Sequence, residues 1–416
     1  MHLPRPSPKA FAVAAILVAG VAIARDEGTR QPQVAPAPAA PAAATHAPPL
    51  PDLRAMRLDP SLGRFVAPVA GGRAVLTVDA RLQERLERFL SEYQTPYGAV
   101  VLLEPRTGRV VALAEHAQAD GGRRGFALRA VAPAASVFKI VTSAALLEQG
   151  VLPDESVCYH GGRHRLQPRL LDDDPRRDRS CVTLASAFGK STNVVFAKLA
   201  DRGLSPELLR TEAQRFLFNA PIPLGEGLEM SRADIPQDAF GLAQTAAGFG
   251  AVRLSPLHGA LLASIVANRG LLVPPRIVDV VDGAPEPSAA EPIRVVDESI
   301  AGALAEMMRR TVTDGTARRV FRRAGGPLRG VSVAGKTGSL ADRNPYRDWS
   351  WFVGYAPVEN PQIAVAAVVG NGTVWRVRAP LVAREALSDW FAARIADAGG
   401  GSAVRTAALV RAPAAR

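Results

Sequence analysis

Ala132-Pro133-Ala134-Ala135-Ser136-Val137-Phe138-Lys139 leads into a run of helical apolar spacing that extends to Gln149 and stops at Gly150. At the start of a helix, positions i and i+3 share a face, so Lys139 can hold its amine against the Ser136 hydroxyl. A serine hydroxyl is a poor nucleophile until a neighbouring base takes its proton. Lysine can be that base only where burial or a second cation lowers its pKa, and Lys336 is available as the second cation. Arginine could not substitute, because it does not deprotonate. The chain sharpens this point: Lys9, Lys139, Lys190, Lys198 and Lys336 are its only lysines among 50 basic residues. Alone, the tetrapeptide is equally a capped helix start.

Two further motifs follow in order. Ser191-Thr192-Asn193 sits inside a helical pattern running from Thr183 to Ala200. Three small polar residues interrupt its apolar face, as in a segment lining a cleft. A hydroxyl there can relay protons and an Asn amide can hold a peptide carbonyl. The alternative is a surface helix turn. Lys336-Thr337-Gly338 ends an apolar strand that starts at Val331. A strand edge can pair with an extended peptide, Lys and Thr can bind a carboxylate, and Gly admits close backbone approach. The alternative is a strand-to-turn transition.

Outward from these motifs, Ala74 to Asp79 alternates like a strand and Arg81 to Tyr93 has helical spacing. Ala99 to Leu103 and Arg109 to Ala114 read as a hairpin around Arg106-Thr107-Gly108. Helices are predicted at Pro206 to Phe218, Pro256 to Asn268, Glu298 to Thr313 and Pro380 to Ile395, with strands at Val331 to Lys336, Ser350 to Tyr355 and Gln362 to Val369. Strands at both ends with helices between them indicate an α+β domain whose sheet joins N- and C-terminal segments.

The three motifs together resemble the penicillin-binding protein and serine β-lactamase superfamily. Ala247-Gly248-Phe249-Gly250 followed by Leu254-Ser255-Pro256-Leu257 is similar to that family's glycine pair and helix, and Trp351 to Tyr355 to the strand after its third motif. The resemblance covers about Ala74 to Ile395. It implies an antiparallel sheet flanked by helices with a mostly helical subdomain. Ser136 would be the acylated nucleophile, Lys139 its base and Ser191 the proton relay. Asn193 would clamp substrate, Lys336, Thr337 and Gly338 would bind at the strand, and the backbone N–H groups of Ser136 and Ser339 would form the oxyanion hole. No metal or organic cofactor is implied. The implied activity is D,D-transpeptidation of peptidoglycan stem peptides, with β-lactams as competing ligands and wall-synthesis proteins at the membrane as partners. The same acyl-enzyme meeting water gives a carboxypeptidase or β-lactamase, and one that never turns over gives a sensor or scaffold. Thr192 stands where many relatives carry Asp, at a variable position.

Composition sets the surroundings. The net charge of +11 comes without a basic stripe interleaved with aromatics, which excludes nucleic-acid binding. Arg5 and Lys9 precede an apolar run from Ala10 to Ala24, read as a cleaved signal peptide or membrane anchor (residues 1–24) that directs the remainder to the envelope side. Residues 25–70 read as an Ala/Pro-rich linker, 71–396 as the catalytic domain and 397–416 as a disordered tail. Cys158 and Cys181 are the only cysteines. Export permits a disulfide between them; zinc held with His160 and His164, or free thiols, are the alternatives.

Overall fold

A computed structural model describes residues 50–409 of the protein, apart from 119–120, 122–124, 163–164, 226–227, 286–290 and 323–324. The expected signal or anchor, and His164, lie outside the described residues.

Strands β1 (Arg57–Asp59), β2 (Arg64–Val69) and β3 (Gly72–Leu76) come first. Helix α1 (Ala80–Glu92) follows, capped by Asp79, whose side chain accepts from the Leu82 N–H. The hairpin β4 (Tyr97–Leu103) and β5 (Val110–His116) forms as the sequence predicts. Strand β6 (Ala132–Pro133) leads through a 3-10 turn at Ala135–Phe138 into α2 (Lys139–Glu148). A second hairpin, β7 (Ser156–Tyr159) and β8 (Ser180–Thr183), precedes α3 (Leu184–Lys190), α4 (Asn193–Gly203) and α5 (Pro206–Arg215). Then come β9 (Arg232–Ala233), α6 (Ala239–Ala246), β10 (Val252–Leu254) and α7 (Pro256–Ala267). Four short strands, β11 (Leu271–Leu272), β12 (Val278–Val281), β13 (Ala284–Pro285) and β14 (Ile293–Arg294), lead to α8 (Glu298–Thr313) and α9 (Arg318–Phe321). The chain closes with β15 (Ala334–Arg343), β16 (Tyr346–Ala356), β17 (Ile363–Asn371) and α10 (Ala379–Leu409).

The main sheet runs β15-β16-β17-β4-β5, antiparallel throughout, so the last three strands join the first hairpin in the α+β arrangement expected. Every residue of the central strand β17 is buried, because helices cover both faces. Side chains of β4 alternate between two cores. Val101 and Leu103 join Leu257, Leu261 and Ile265 of α7 on one face; Val100 and Leu102 join Leu86, Val382 and Leu387 of α1 and α10 on the other. Helix α7 is buried on all sides, as its uninterrupted apolar sequence demands. Strand β15 is left at the sheet edge, and its open side meets the helical part of the chain.

Four boundaries differ from the sequence reading. Folded structure begins before residue 71: β1, β2 and β3 form a sheet with β12 and β13, and Leu53, Met56, Phe65 and Val66 are buried. These strands are too short to show a period, and their partner β12 lies about 200 residues away in sequence. The helix predicted from Thr183 to Ala200 is two helices, broken at Ser191, whose backbone is left-handed (φ 56°, ψ 45°). The third motif lies near the start of β15 instead of ending a strand, because the following residues continue the pairing with β16. Helix α10 runs past Asp397 to Leu409, into the segment read as a tail.

Candidate active site

The break at Ser191 separates α3 from α4, so that Asn193 meets the start of α2 and Ser191 meets β15. Asn193 begins α4, and its Oδ1 accepts from Lys139 Nζ at 2.6 Å. The same amine lies 2.8 Å from Ser136 Oγ and donates to the carbonyl of Ala247 at 2.6 Å. Lys139 is fully buried, with its amine 5.3 Å from the centre of the Phe196 ring. Burial first, and the charge of Lys336 second, hold its pKa well below the ordinary lysine range.

Lys336 is the other fully buried amine. It donates to Ser191 Oγ at 3.1 Å and to the Thr337 carbonyl at 3.0 Å, beside the Phe188 ring. Burial pushes its pKa down to about 7. The Thr337 hydroxyl lies 2.5 Å from that of Thr316, in the turn after α8. The structure thus brings Ser136, Lys139, Ser191, Asn193, Lys336 and Thr337 into one connected group drawn from α2, the α3–α4 junction and β15.

Backbone fit keeps these parts close. Gly338 on β15 passes so near the turn carrying Ser136 that a Cβ there would sit 3.2 Å from the Ala134 carbonyl oxygen. At Gly248 (φ 91°) a Cβ would come within 2.5 Å of the Ala135 carbonyl oxygen and 3.0 Å of the Ser136 nitrogen. Ala135 itself is left-handed at φ 50°, a conformation that costs a non-glycine residue roughly 1–2 kcal/mol and aims the next side chain. Ser339 follows on the exposed stretch of β15. Sequence reasoning named Ala247 and Gly248 only as a pattern and missed Thr316 altogether. The first acts through its carbonyl and the second sits in an exposed turn, so neither side chain carried a signal.

Cys158 and Cys181 stand opposite each other on β7 and β8 and are joined as a disulfide. Bonded sulfurs are not thiolate ligands, so the zinc alternative and the free thiols are both corrected; His160 is paired with Asp178 instead. Among the described residues no group of His, Cys, Asp and Glu could hold a metal ion.

Comparison with known proteins agrees with this geometry. The family profile for the penicillin-binding protein transpeptidase domain matches residues 98–388, which include all three motifs. The peptidoglycan D,D-transpeptidase PbpA of Mycobacterium tuberculosis is 28% identical over 344 residues, covering 73% of this chain and 68% of the relative. PbpA of Mycolicibacterium smegmatis is 30% identical over 313 residues, covering 66% and 62%. The solved imipenem acyl-enzyme complex of M. tuberculosis penicillin-binding protein A is 26% identical with a TM-score of 0.62, covering 77% of this chain and 80% of that one. With the profile spanning most of its length and the motif side chains gathered at one centre, the chain belongs to the penicillin-binding protein transpeptidase domain family.

Proposed function

We propose that this chain is a serine D,D-transpeptidase that cross-links peptidoglycan stem peptides through an acyl-enzyme on Ser136. The observation that carries the reading is the set of contacts around Lys139. A neutral amine has two N–H donors and one lone pair. The Asn193 and Ala247 oxygens take the two hydrogens at 2.6 Å each, which leaves the lone pair facing the Ser136 hydroxyl at 2.8 Å. Burial without a carboxylate partner lowers its pKa and so favours the neutral form, which can accept a proton.

In this reading Lys139 takes the Ser136 proton as Oγ bonds to the carbonyl carbon of the penultimate D-Ala. Backbone N–H groups of Ser136 and Ser339 receive the charge that develops on the carbonyl oxygen. The C–N bond to the terminal D-Ala then breaks, and its amine gains the proton from Lys139 through Ser191. Lys336 and Thr337 hold the terminal carboxylate. In the second half, an amine of a neighbouring stem peptide gives a proton back to Lys139 and attacks the ester, and the Ser136 oxygen leaves with that proton. The PbpA relatives and the imipenem acyl-enzyme support this chemistry. That these relatives are peptidoglycan transpeptidases supports an envelope location, where an N-terminal signal or anchor would deliver the chain and membrane-bound wall-synthesis proteins would meet it. Among the described residues no helix is long and apolar enough to cross a membrane.

The test is labelling of the purified chain by a fluorescent penicillin, with Ser136→Ala alongside. Stable labelling that disappears in the variant is expected. Rapid loss of label would move the reading to a hydrolase, and unlabelled folded protein would overturn it.

A further inference from the structure

Two segments run outward from Ser136 and Ser339. One goes back through β6 to Val131; the other goes forward along β15 to Asp342 and Arg343. Both end at a cleft of about 260 Å³, also lined by Tyr97, Arg253 and Arg347. One wall of it is a closed set of polar contacts. Arg253 donates to both oxygens of Asp342 at 2.9 and 3.1 Å and to the Val131 carbonyl at 2.9 Å, and the Trp349 indole N–H donates to the same carboxylate at 2.9 Å. Arg343 and Arg347 also line the cleft, outside that set. Arg343 is exposed and pairs with no carboxylate among the described residues. Arg347 lies 5.8 Å from the centre of the Tyr97 ring and donates through Nη1 to the Tyr346 carbonyl, while its buried Nε has no acceptor.

We propose that this cleft is a subsite for a carboxylate carried by the donor stem peptide upstream of its D-Ala-D-Ala end. The inference rests on the transpeptidase reading, since it takes the donor to lie extended along the free edge of β15 with its terminal carboxylate at Lys336 and Thr337. Upstream residues of that peptide then advance toward Asp342. From Ser339 to Asp342 is three residues, or roughly 10 Å at about 3.4 Å each. The residue before the D-Ala pair, or the one before that, reaches the cleft. A guanidinium fork matches a carboxylate in geometry and charge, and arginines at the cleft beyond the Arg253–Asp342 pair favour an anion over its neutral amide.

The experiment measures binding of fluorescein-labelled pentapeptides ending in D-Ala-D-Ala to the full chain carrying Ser136→Ala, which stops turnover. One peptide carries free carboxylates on both upstream residues; in two others one or the other is amidated. Amidation at one of the two positions is expected to weaken binding by roughly tenfold or more, which identifies the source of the carboxylate. Arg347→Gln or Arg343→Gln should remove the preference. The second variant alters an exposed side chain, so a folding failure of the first does not decide the matter. Equal binding of all three peptides, or a preference unchanged in folded Arg343→Gln and Arg347→Gln, would overturn the subsite. Penicillin labelling of the Ser136 form is measured beside it: its failure would count against the transpeptidase reading, while the peptide preference still decides on the cleft.

Discussion

Lys139 and Lys336 are two buried amines in one site, and they have opposite tasks. In the proposed mechanism Lys139 must be neutral to take a proton, whereas Lys336 must be charged to hold a carboxylate. Burial lowers both, and the charge on Lys336 lowers Lys139 further, so the pair holds one proton more readily than two. Activity requires that proton to sit on Lys336. The rate constant for acylation by penicillin should therefore follow a bell in pH. It falls on the acid side as Lys139 gains a proton, and on the alkaline side, from about pH 7 upward, as Lys336 loses its own. A rate constant flat from pH 5 to 9 would contradict this division of roles. Lys139→Arg keeps the charge and removes the base; acylation should fall by at least roughly 100-fold with circular dichroism unchanged. Normal labelling of that variant would take Lys139 out of the mechanism. At this scale the sequence was legible where side chains of the motifs come together, as at Ser136 and Lys139. The carbonyl of Ala247 was not legible, because every residue has one.

The junction between α3 and α4 shows what a periodic pattern hides. Apolar spacing runs straight through Thr183 to Ala200, yet left-handed Ser191 ends one helix and Asn193 begins another. Packing on α4 holds that turn. Lys198, fully buried in the middle of α4, donates to Asp178 at 2.6 Å, to Asp173 at 3.0 Å and to the Cys158 carbonyl at 3.1 Å. Burial would raise the pKa of Asp178, but hydrogen bonds from His160 and Lys198 outweigh it and hold the carboxyl far below its usual range. The disulfide hairpin β7–β8 is thereby pinned to the helix that presents Asn193. Replacing both Cys158 and Cys181 with Ser frees a loop with a sequence separation of 23, and should cost about 3 kcal/mol of stability on the chain-entropy model. Denaturant unfolding of the double variant measures it, and an unchanged midpoint would show that the ion pairs hold the hairpin without the bond. Lys198 carries no motif in the sequence, and only its contacts show it to be a structural amine.

Across the whole molecule, the small sheet of β1, β2, β3, β12 and β13 extends the folded body to about Leu53. A chain beginning at Gly71 would lose the buried Leu53, Met56, Phe65 and Val66, each worth about 1.5–3 kcal/mol at full burial as an upper figure. Its melting temperature should lie roughly 5 °C or more below that of a chain beginning at Leu50. Equal melting temperatures would return these strands to the linker. Sequence alone determined the α+β class, the sheet joining both ends of the chain, and the order of the three motifs, because side-chain chemistry and apolar periodicity are local properties written in the residues themselves. Tertiary structure alone decided that β15 is the free edge, that Ser191 breaks its helix, that the two cysteines are bonded, and that Arg253, Arg343 and Arg347 line one cleft. Each of these depends on segments tens to hundreds of residues apart coming into contact, and neither a period nor a motif carries that distance.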